Sequence, residues 1–299
     1  MNQPRLIEFS TQDGLRLPGM LYEEKNNKKS AIYLHGNGTS SVFYHQEEKS
    51  ELAIELLKKD ISLLYFNNRG ANMMKSFHIE KNNIDERKMY GTAYEIIKEC
   101  VFDIDAAIEF LKTQGYTEFY LIGSSTGANK ICVYNHYKPI NEISKYILAD
   151  AGDDTGIMYD QIGEARFWKL LKEAKEKIKK NKGEELIKDL FPDEIFSYQA
   201  FYDVANPDGD YNCFPYYEII NKVKLSTKKL FRYYKDINKP SLVVFGEFDE
   251  YAWGDVSRVV KILKQEKSEF EYQIISNTTH GMPGKQKDLG KLITEWINK

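Results

Sequence analysis

The chain has 299 residues, of which 42% are hydrophobic and 29% are charged, and its net charge at pH 7 is -3. This composition is typical of a globular protein, and the small net charge disfavours a nucleic-acid partner or an anionic membrane surface. No apolar run approaches the roughly 20 residues of a membrane-spanning helix, so stable membrane insertion is not expected.

The three cysteines, Cys100, Cys132 and Cys213, lie far apart, and no Cys-x-x-Cys pair exists. Neither a disulfide framework nor a zinc site is therefore indicated. The first residues lack the charged and then apolar layout of a signal peptide, so the expected location is the cytoplasm.

Short apolar runs alternate with amphipathic segments along most of the chain, which predicts alternating strands and helices. The first two runs are joined around Asp13-Gly14, a dipeptide typical of a β-hairpin. The other runs are continuously apolar, which is typical of a parallel sheet covered by helices on both faces. The predicted strands are 5–9, 15–22, 31–35, 61–66, 119–122, 146–149, 240–245 and 270–275.

Two regions lie between the predicted strands at 61–66 and 119–122. Residues 71–91 are polar and predict a long loop, a feature that is usually functional or mobile in a compact domain. Thr92 to Glu95 then has the spacing of a capping box, and apolar residues from Ile97 to Leu111 recur at intervals of three and four. The spacing predicts an amphipathic helix that begins at this box.

From residue 151 the alternation stops. A segment rich in Lys and Glu carries one apolar helical stripe, an aromatic-rich piece follows, and 223–234 predicts another helix. The glutamates among the lysines favour a solvated helix face over a nucleic-acid or membrane surface. We predict a core formed by 1–150 and 239–299, with a mainly helical cap inserted at 151–238.

The best candidate for a nucleophile lies between the strand at 119–122 and a helix that runs to about residue 137. The sequence there is Gly123-Ser-Ser-Thr-Gly127, a Gly-x-Ser-x-Gly pattern in a strand–turn–helix context. A sharp turn of this kind exposes the middle serine, here Ser125, at the carboxyl end of a strand. The alternative interpretation is an ordinary Gly/Ser turn.

A serine nucleophile needs a base, and the chain has five histidines. Four of them are not placed to serve as the base. His35 lies in the turn after an early strand and His45 near the first helix, whereas His78 lies in the long polar segment and His136 at the end of the helix after Ser125. His280 alone follows the last predicted strand. Parallel strands would bring it to the same edge of the sheet as Ser125, so we predict His280 as the base.

The base in turn needs an acid that fixes its tautomer. Asp249 follows the strand at 240–245 and is the preferred residue. Asp150, at the end of the preceding strand, is the alternative, and either aspartate could instead be an ordinary helix N-cap.

Acyl transfer also needs two backbone N–H groups that bind the developing oxyanion. Thr126, directly after the nucleophile, is predicted to supply one. The other is expected from His35-Gly-Asn-Gly38, with the Asn37 N–H as first choice and that of Gly38 next.

Together these residues resemble the α/β-hydrolase superfamily over nearly the whole chain outside the insertion. The motifs that carry the resemblance are His35-Gly-Asn-Gly38, Asn67-Asn-Arg-Gly70, Gly123-Ser-Ser-Thr-Gly127, Phe245-Gly-Glu-Phe-Asp249 and His280-Gly281. The resemblance implies an α/β fold, with a mostly parallel sheet of about eight strands and a cap after the sixth. It also implies the nucleophile, acid and base order of Ser125, Asp249 and His280. Some relatives place the acid at the position of Asp150.

One departure from the family is Ser124, where many relatives carry a bulkier His, Tyr or Asp. The elbow and the tyrosine-rich insertion are also similar to those of siderophore-esterase-like members, a similarity that assigns no substrate.

The resulting expectation is a serine hydrolase that cleaves a small-molecule carboxylic ester without a metal or organic cofactor. The same triad also serves thioesterases, amidases, peptidases and acyltransferases, because fold and triad do not separate them. A non-catalytic ligand-binding protein on a hydrolase scaffold is the alternative from a different class. Five aromatic residues of the insertion could line a substrate pocket or pack the insertion onto the core: Tyr198, Tyr202, Tyr211, Phe214 and Tyr217.

Overall fold

The computed structural model describes residues 3–24, 26–38, 41–81, 84–192 and 194–299. Its strands, in chain order, are β1 (Arg5–Ser10), β2 (Arg16–Tyr22), β3 (Lys29–Leu34), β4 (Ile61–Phe66), β5 (Lys75–Lys81), β6 (Ile84–Tyr90), β7 (Glu118–Ser124), β8 (Ile143–Ala149), β9 (Ser241–Gly246) and β10 (Glu271–Ile275).

Eight of these strands form one sheet in the order β1-β2-β4-β3-β7-β8-β9-β10. All neighbours from β4 to β10 pair in parallel, whereas β2 runs antiparallel to both β1 and β4. The eight-stranded, mostly parallel sheet and the antiparallel hairpin around Asp13-Gly14 are therefore confirmed. The central strands β4 and β9 are buried along their whole length, which explains why their sequences are continuously apolar.

The α-helices, in chain order, are α1 (Gln46–Leu57), α2 (Cys100–Thr113), α3 (Thr126–Tyr137), α4 (Asp154–Ile162), α5 (Glu164–Lys179), α6 (Tyr198–Ala205), α7 (Tyr216–Asn221), α8 (Arg232–Asp236), α9 (Val256–Glu266) and α10 (Gln286–Ile297). Side-chain caps begin several of them. The carboxylates of Asp153 and Asp255 and the hydroxyl of Ser197 accept N–H bonds in the first turns of α4, α9 and α6. None of the described helices is long and apolar enough to cross a membrane.

Alternate residues along each strand enter two apolar layers, one on each face of the sheet. Leu121 of β7 packs with α2, α3 and α9, whereas the next residue, Ile122, packs with α1 and α10. The sheet is thus buried between two layers of helices, as the sequence predicts.

The order of the strands creates a crevice above the middle of the sheet. After β3, the chain forms β4 on one side of β3. The next strand in the chain that belongs to this sheet is β7, and it lies on the opposite side of β3. In open parallel sheets, ligands bind at such a switch point, outside the carboxyl ends of the strands. The loop with Asn37 follows β3 and Ser125 follows β7, so both flank this crevice.

The prediction of a long loop at 71–91 is wrong, because β5 and β6 form an antiparallel two-stranded sheet there. Residues 82 and 83, between these strands, lie outside the described residues. Most side chains of both strands are polar or charged, so the apolar alternation that predicts a strand is missing.

The predicted start of the next helix is also wrong. Residues 92–94 and 97–99 form two short 3₁₀ turns, and α2 begins only at Cys100. Glu95 is extended, with φ -67° and ψ 134°, and its carboxylate forms an ion pair with Lys130 at 2.6 Å. A tertiary contact has therefore replaced the local bond that a capping box would make.

Five helices, α4 to α8, lie between β8 and β9, after the sixth strand of the large sheet. The helix predicted over 223–234 is mostly wrong, because only Arg232–Asp236 is helical there. Buried side chains of this segment join the same apolar cluster as α2 and α3. The division of the chain into a core and a cap at 151–238 stays a prediction.

Candidate active site

Ser125 occupies a strained turn between β7 and α3. Its backbone has φ 57° and ψ -129°, a combination that residues with a side chain rarely adopt. The turn is held by the Ser125 N–H, which donates to the Ala149 carbonyl at 2.9 Å, and by the Ala128 N–H, which donates to the Ser125 carbonyl at 2.8 Å. A side chain at Gly123 would collide with the carbonyl of Gly127, which explains the glycine there.

Asp249 and His280 form a hydrogen-bonded pair at the carboxyl ends of β9 and β10. The His280 Nδ1 and the Asp249 Oδ1 are 3.0 Å apart. The Asp249 side chain is 1% exposed and that of His280 is 16% exposed, so the carboxylate is buried behind a partly accessible imidazole. The bond to Nδ1 leaves Nε2 as the nitrogen that can accept a proton.

Two neighbouring residues, Glu250 and Tyr251, contact His280. The His280 backbone N–H donates to the Glu250 carboxylate at 3.1 Å, and the Tyr251 ring meets the imidazole edge to face with 4.6 Å between centroids. Burial alone would lower the pKa of His280. The hydrogen bond and charge of Asp249, together with the charges of Asp150 and Glu250, outweigh burial and raise that pKa above its ordinary value.

Asp150, the alternative acid, makes different bonds. Its two carboxylate oxygens accept the backbone N–H groups of Gly246 at 2.9 Å and Gly281 at 2.8 Å. His280 therefore has Asp249 as its hydrogen-bond partner, while Asp150 binds the backbone on both sides of that pair.

The loop after β3 carries Asn37 and Gly38, the two residues predicted as alternative oxyanion donors. The Gly38 N–H already donates to the Asn37 side chain at 3.0 Å and to the Thr92 hydroxyl at 3.3 Å. This engagement favours the Asn37 N–H over that of Gly38. On the other side of the crevice, Thr126 is fully buried at the first position of α3, where backbone N–H groups have no acceptor within the helix.

His35 has a structural position below this loop. Its Nδ1 lies 2.8 Å from the Gly36 carbonyl, and its Nε2 accepts the Asn68 N–H at 3.2 Å. Burial and the nearby charge of Lys130 lower its pKa to about 3, so the ring is neutral and both of its nitrogens are engaged. This arrangement fixes the loop that carries Asn37. Of the other three histidines, the His78 side chain lies outside the described part of the structure.

A cavity of about 200 Å³ joins these groups. Asn37, Ser125, Thr126 and His280 all line it, and Asp249 lies behind His280. The structure thus brings together all five predicted site residues. Apolar side chains of the segment between β8 and β9 complete the wall: Ile157, Met158 and Val204.

Asp154 and Tyr251 are among the residues of this cavity that sequence reasoning missed. Asp154, in the first turn of α4, accepts the Thr126 hydroxyl at 3.1 Å, and burial raises its pKa to about 7. Its place in the loop and first helical turn after β8, at the carboxyl edge of the sheet, is a signal that the sequence carries. Tyr251 follows Asp249 by two residues, and its ring is 42% exposed beside His280.

None of the five aromatic residues considered for a pocket in the insertion lines the cavity at Ser125. Tyr211 and Phe214 are buried members of the core cluster, and Tyr198, Tyr202 and Tyr217 pack against it. Tyr211 also reaches the segment before α2, where its hydroxyl donates to the Glu95 carboxylate at 3.3 Å.

Asp150, Asp249 and His280 are also the described residues that could hold a metal ion, since ligand atoms of the three lie within 4.8 Å of one another. The hydrogen bonds described above already engage both Asp150 oxygens, one Asp249 oxygen and the His280 Nδ1. A metal would therefore have to break the bonds that hold the pair together.

The fold and the elbow define an α/β-hydrolase-fold protein, and comparison with known proteins agrees. A family model described as "Protein of unknown function (DUF1749)" matches residues 89–298, and the chain belongs to this family. No curated protein matches the chain.

Solved α/β-hydrolase structures are similar over nearly the full length. An α/β hydrolase, GrgF from Penicillium sp. sh18, has a TM-score of 0.64 at 14% identity, with 99% of this chain and 96% of that chain covered. Est1E from Butyrivibrio proteoclasticus, solved with ferulic acid bound, has a TM-score of 0.61 at 14% identity and covers 97% of both chains. The Pyrococcus furiosus esterase Pf2001 has a TM-score of 0.57 at 16% identity, with 99% and 92% covered. At these identities, the similarity shows the fold.

Proposed function

We propose that this protein is a serine hydrolase that cleaves a carboxylic ester. The observation that carries the proposal is the shared cavity, into which both the strained Ser125 turn and the Asp249–His280 pair open. A nucleophile on a strained elbow, with a base oriented by a buried acid, is the arrangement that acyl transfer requires.

In the first half of the reaction, the Ser125 Oγ attacks the ester carbonyl while His280 Nε2 takes the hydroxyl proton. Asp249 stabilises the imidazolium that forms, and the N–H groups of Asn37 and Thr126 bind the oxyanion. The C–O bond to the alcohol then breaks, and His280 returns the proton to the departing oxygen. The product is an acyl-enzyme and a free alcohol.

Water completes the cycle by the same route. His280 removes a proton from a water molecule, which attacks the acyl carbonyl, and the Ser125 oxygen leaves with that proton. The acid product then leaves the cavity. The cavity volume of about 200 Å³ favours short or planar acyl groups. Because Est1E was solved with ferulic acid bound, planar aromatic esters belong among the substrates to be tested.

The test is hydrolysis of p-nitrophenyl esters, from acetate to long-chain, and of methyl ferulate by the wild type and Ser125→Ala. We expect activity in the wild type and its loss in Ser125→Ala. Ser124→Ala is the matched control, because it removes the neighbouring hydroxyl and should retain activity.

A fluorophosphonate probe gives a second readout that needs no substrate. It should label the wild type and Ser124→Ala but not Ser125→Ala. Retained hydrolysis in Ser125→Ala would contradict the assignment. A folded wild type that neither hydrolyses any ester nor reacts with the probe would favour a ligand-binding role instead. Thioesters and amides in the same assay would decide the bond class.

A further inference from the structure

Asp150 is a buried carboxylate that the proposed reaction does not use. It directly follows β8, has a left-handed backbone with φ 48°, and is 1% exposed. Its backbone N–H donates to the Val244 carbonyl in β9 at 2.8 Å. Burial of a charged side chain costs free energy unless the charge is paired and hydrogen-bonded.

The bonds of Asp150 reach both loops that carry the acid and the base. One oxygen accepts the N–H of Gly246, three residues before Asp249, at 2.9 Å. The other accepts the N–H of Gly281, directly after His280, at 2.8 Å. A single carboxylate thus joins the two loops, so that movement of either one would stretch a bond to it.

The same short segment also holds the nucleophile. The carbonyl of Ala149, one residue before Asp150, accepts the Ser125 N–H at 2.9 Å. All three loops of the proposed triad are therefore bonded to residues 149–150.

Asp150 also influences the charge of the base. One of its oxygens, one of Asp249 and a ring nitrogen of His280 lie within 4.8 Å of one another. Burial and the charge of Asp249 raise the pKa of Asp150, while the two backbone N–H groups and His280 lower it. Among the other titratable groups that face this cluster, Glu250 raises the pKa of His280, and Tyr33 of β3 lies near Asp150. The buried carboxylate of Asp154 faces His280, and the phenols of Tyr216 and Tyr251 face Asp249.

We propose that Asp150 is a positioning residue for the catalytic pair: its carboxylate fixes the Asp249 loop against the His280 loop, and its charge adds to that of Asp249 on the imidazole. The inference rests on the proposed serine hydrolase function. It assigns to Asp150 a role that operates while Asp249 remains the hydrogen-bond partner of His280.

The first test is Asp150→Asn. The Asn side chain has only one acceptor oxygen, so it cannot accept the N–H groups of both Gly246 and Gly281, and one of the two loops loses its bond. The amide also carries no charge, so the negative electrostatic potential at the His280 imidazole becomes weaker. We expect kcat to fall roughly tenfold with KM within about twofold, because one loop bond is lost and the side chain is buried behind the pair. The pH at which kcat/KM falls on the acid side, the acid limb, should move about one pH unit lower. The reason is that the loss of a nearby negative charge lowers the pKa of His280, and an opposite charge within 4–6 Å typically shifts a pKa by 1–3 units.

Asp203→Asn is the matched control. Asp203 is a partly buried carboxylate, burial raises its pKa to about 8, and it accepts a backbone N–H, that of Ile97 at 2.7 Å. Its substitution should lower Tm but leave the acid limb unchanged. If Asp150→Asn lowers Tm while kcat and the acid limb stay those of the wild type, Asp150 is only structural and the proposal is overturned.

A measurement on the wild-type protein avoids the risk that Asp150→Asn does not fold. The imidazole of His280, identified by comparison with His280→Gln, can be followed by NMR as the pH changes. Because the Asp150 carboxylate accepts the Gly246 N–H, the proposal predicts that the Gly246 amide signal moves at the pH at which the imidazole titrates. A Gly246 signal that does not follow the imidazole would overturn the proposal. Because this readout needs no turnover, it separates failure of the Asp150 role from failure of the hydrolase function.

Discussion

The strained backbone at Ser125 predicts an unusual response to substitution. With φ 57° and ψ -129°, Ser125 adopts a conformation that glycine reaches freely and that costs other residues about 1–3 kcal/mol. Ser125→Gly should release this strain, whereas Ser125→Ala keeps the side-chain carbon and therefore the strain. Both variants lose the hydroxyl and should be inactive, so only their stability separates them.

The expected difference follows from two opposing terms. Release of strain contributes about 1–3 kcal/mol, and the greater freedom of glycine in the unfolded chain costs about 0.5–1 kcal/mol. Ser125→Gly should therefore be about 1 kcal/mol more stable than Ser125→Ala. For a chain of 299 residues this corresponds to a difference in Tm of about 2 °C.

The assay is thermal unfolding of both variants by calorimetry, with urea unfolding as a check. Ser124 provides the control pair, because it ends strand β7 with an ordinary backbone. There, the glycine variant should be less stable than the alanine variant, the reverse of the order at Ser125. If Ser125→Gly is no more stable than Ser125→Ala, the elbow is not strained and the reasoning fails.

Two further predictions concern pH and a buried ion pair. Because the base must be neutral to take a proton and the pKa of His280 is raised, kcat/KM should fall as the pH drops through a value above about 6.5; an acid limb below pH 6 would contradict this. Lys130 and Glu95 are 1% and 3% exposed and pair at 2.6 Å, so Lys130→Met should cost about 3–5 kcal/mol and lower Tm by roughly 6–10 °C. The double variant Lys130→Met with Glu95→Gln should recover much of this loss, because neither residue is then left as an unpaired buried charge. An unchanged Tm in Lys130→Met would show that the ion pair does not stabilise the fold.

The sequence itself predicts most strands of the large sheet and their parallel arrangement, because strands such as β4 and β9 are buried along their whole length and must be continuously apolar. The edge strand β10 is only partly buried and shows this signal weakly. It also predicts which residues meet. Ser125, Asp249 and His280 follow three different strands, and parallel strands end at the same edge of the sheet. The local signal at the elbow is equally direct, since close contact between two chain segments requires glycine there.

Other features were decided by contacts between residues distant in the sequence. The polar hairpin β5–β6 lacks the apolar alternation that marks a strand, and Glu95 leaves its predicted cap because it pairs with Lys130. Composition alone left two roles open for the aromatic residues of the insertion. The structure shows that two of the five are buried in the apolar cluster and that the other three pack against it.

The choice between the two candidate acids shows the limit of sequence reasoning most clearly. Asp150 and Asp249 both follow strands of the sheet and both come near His280, so the sequence prefers Asp249 without excluding Asp150. The tertiary structure separates them through the direction of each side chain: Asp249 bonds the imidazole, and Asp150 bonds the backbone of Gly246 and Gly281. Strand order determines which residues converge, whereas hydrogen-bond geometry, which depends on distances of about 3 Å between loops, determines what each of them does.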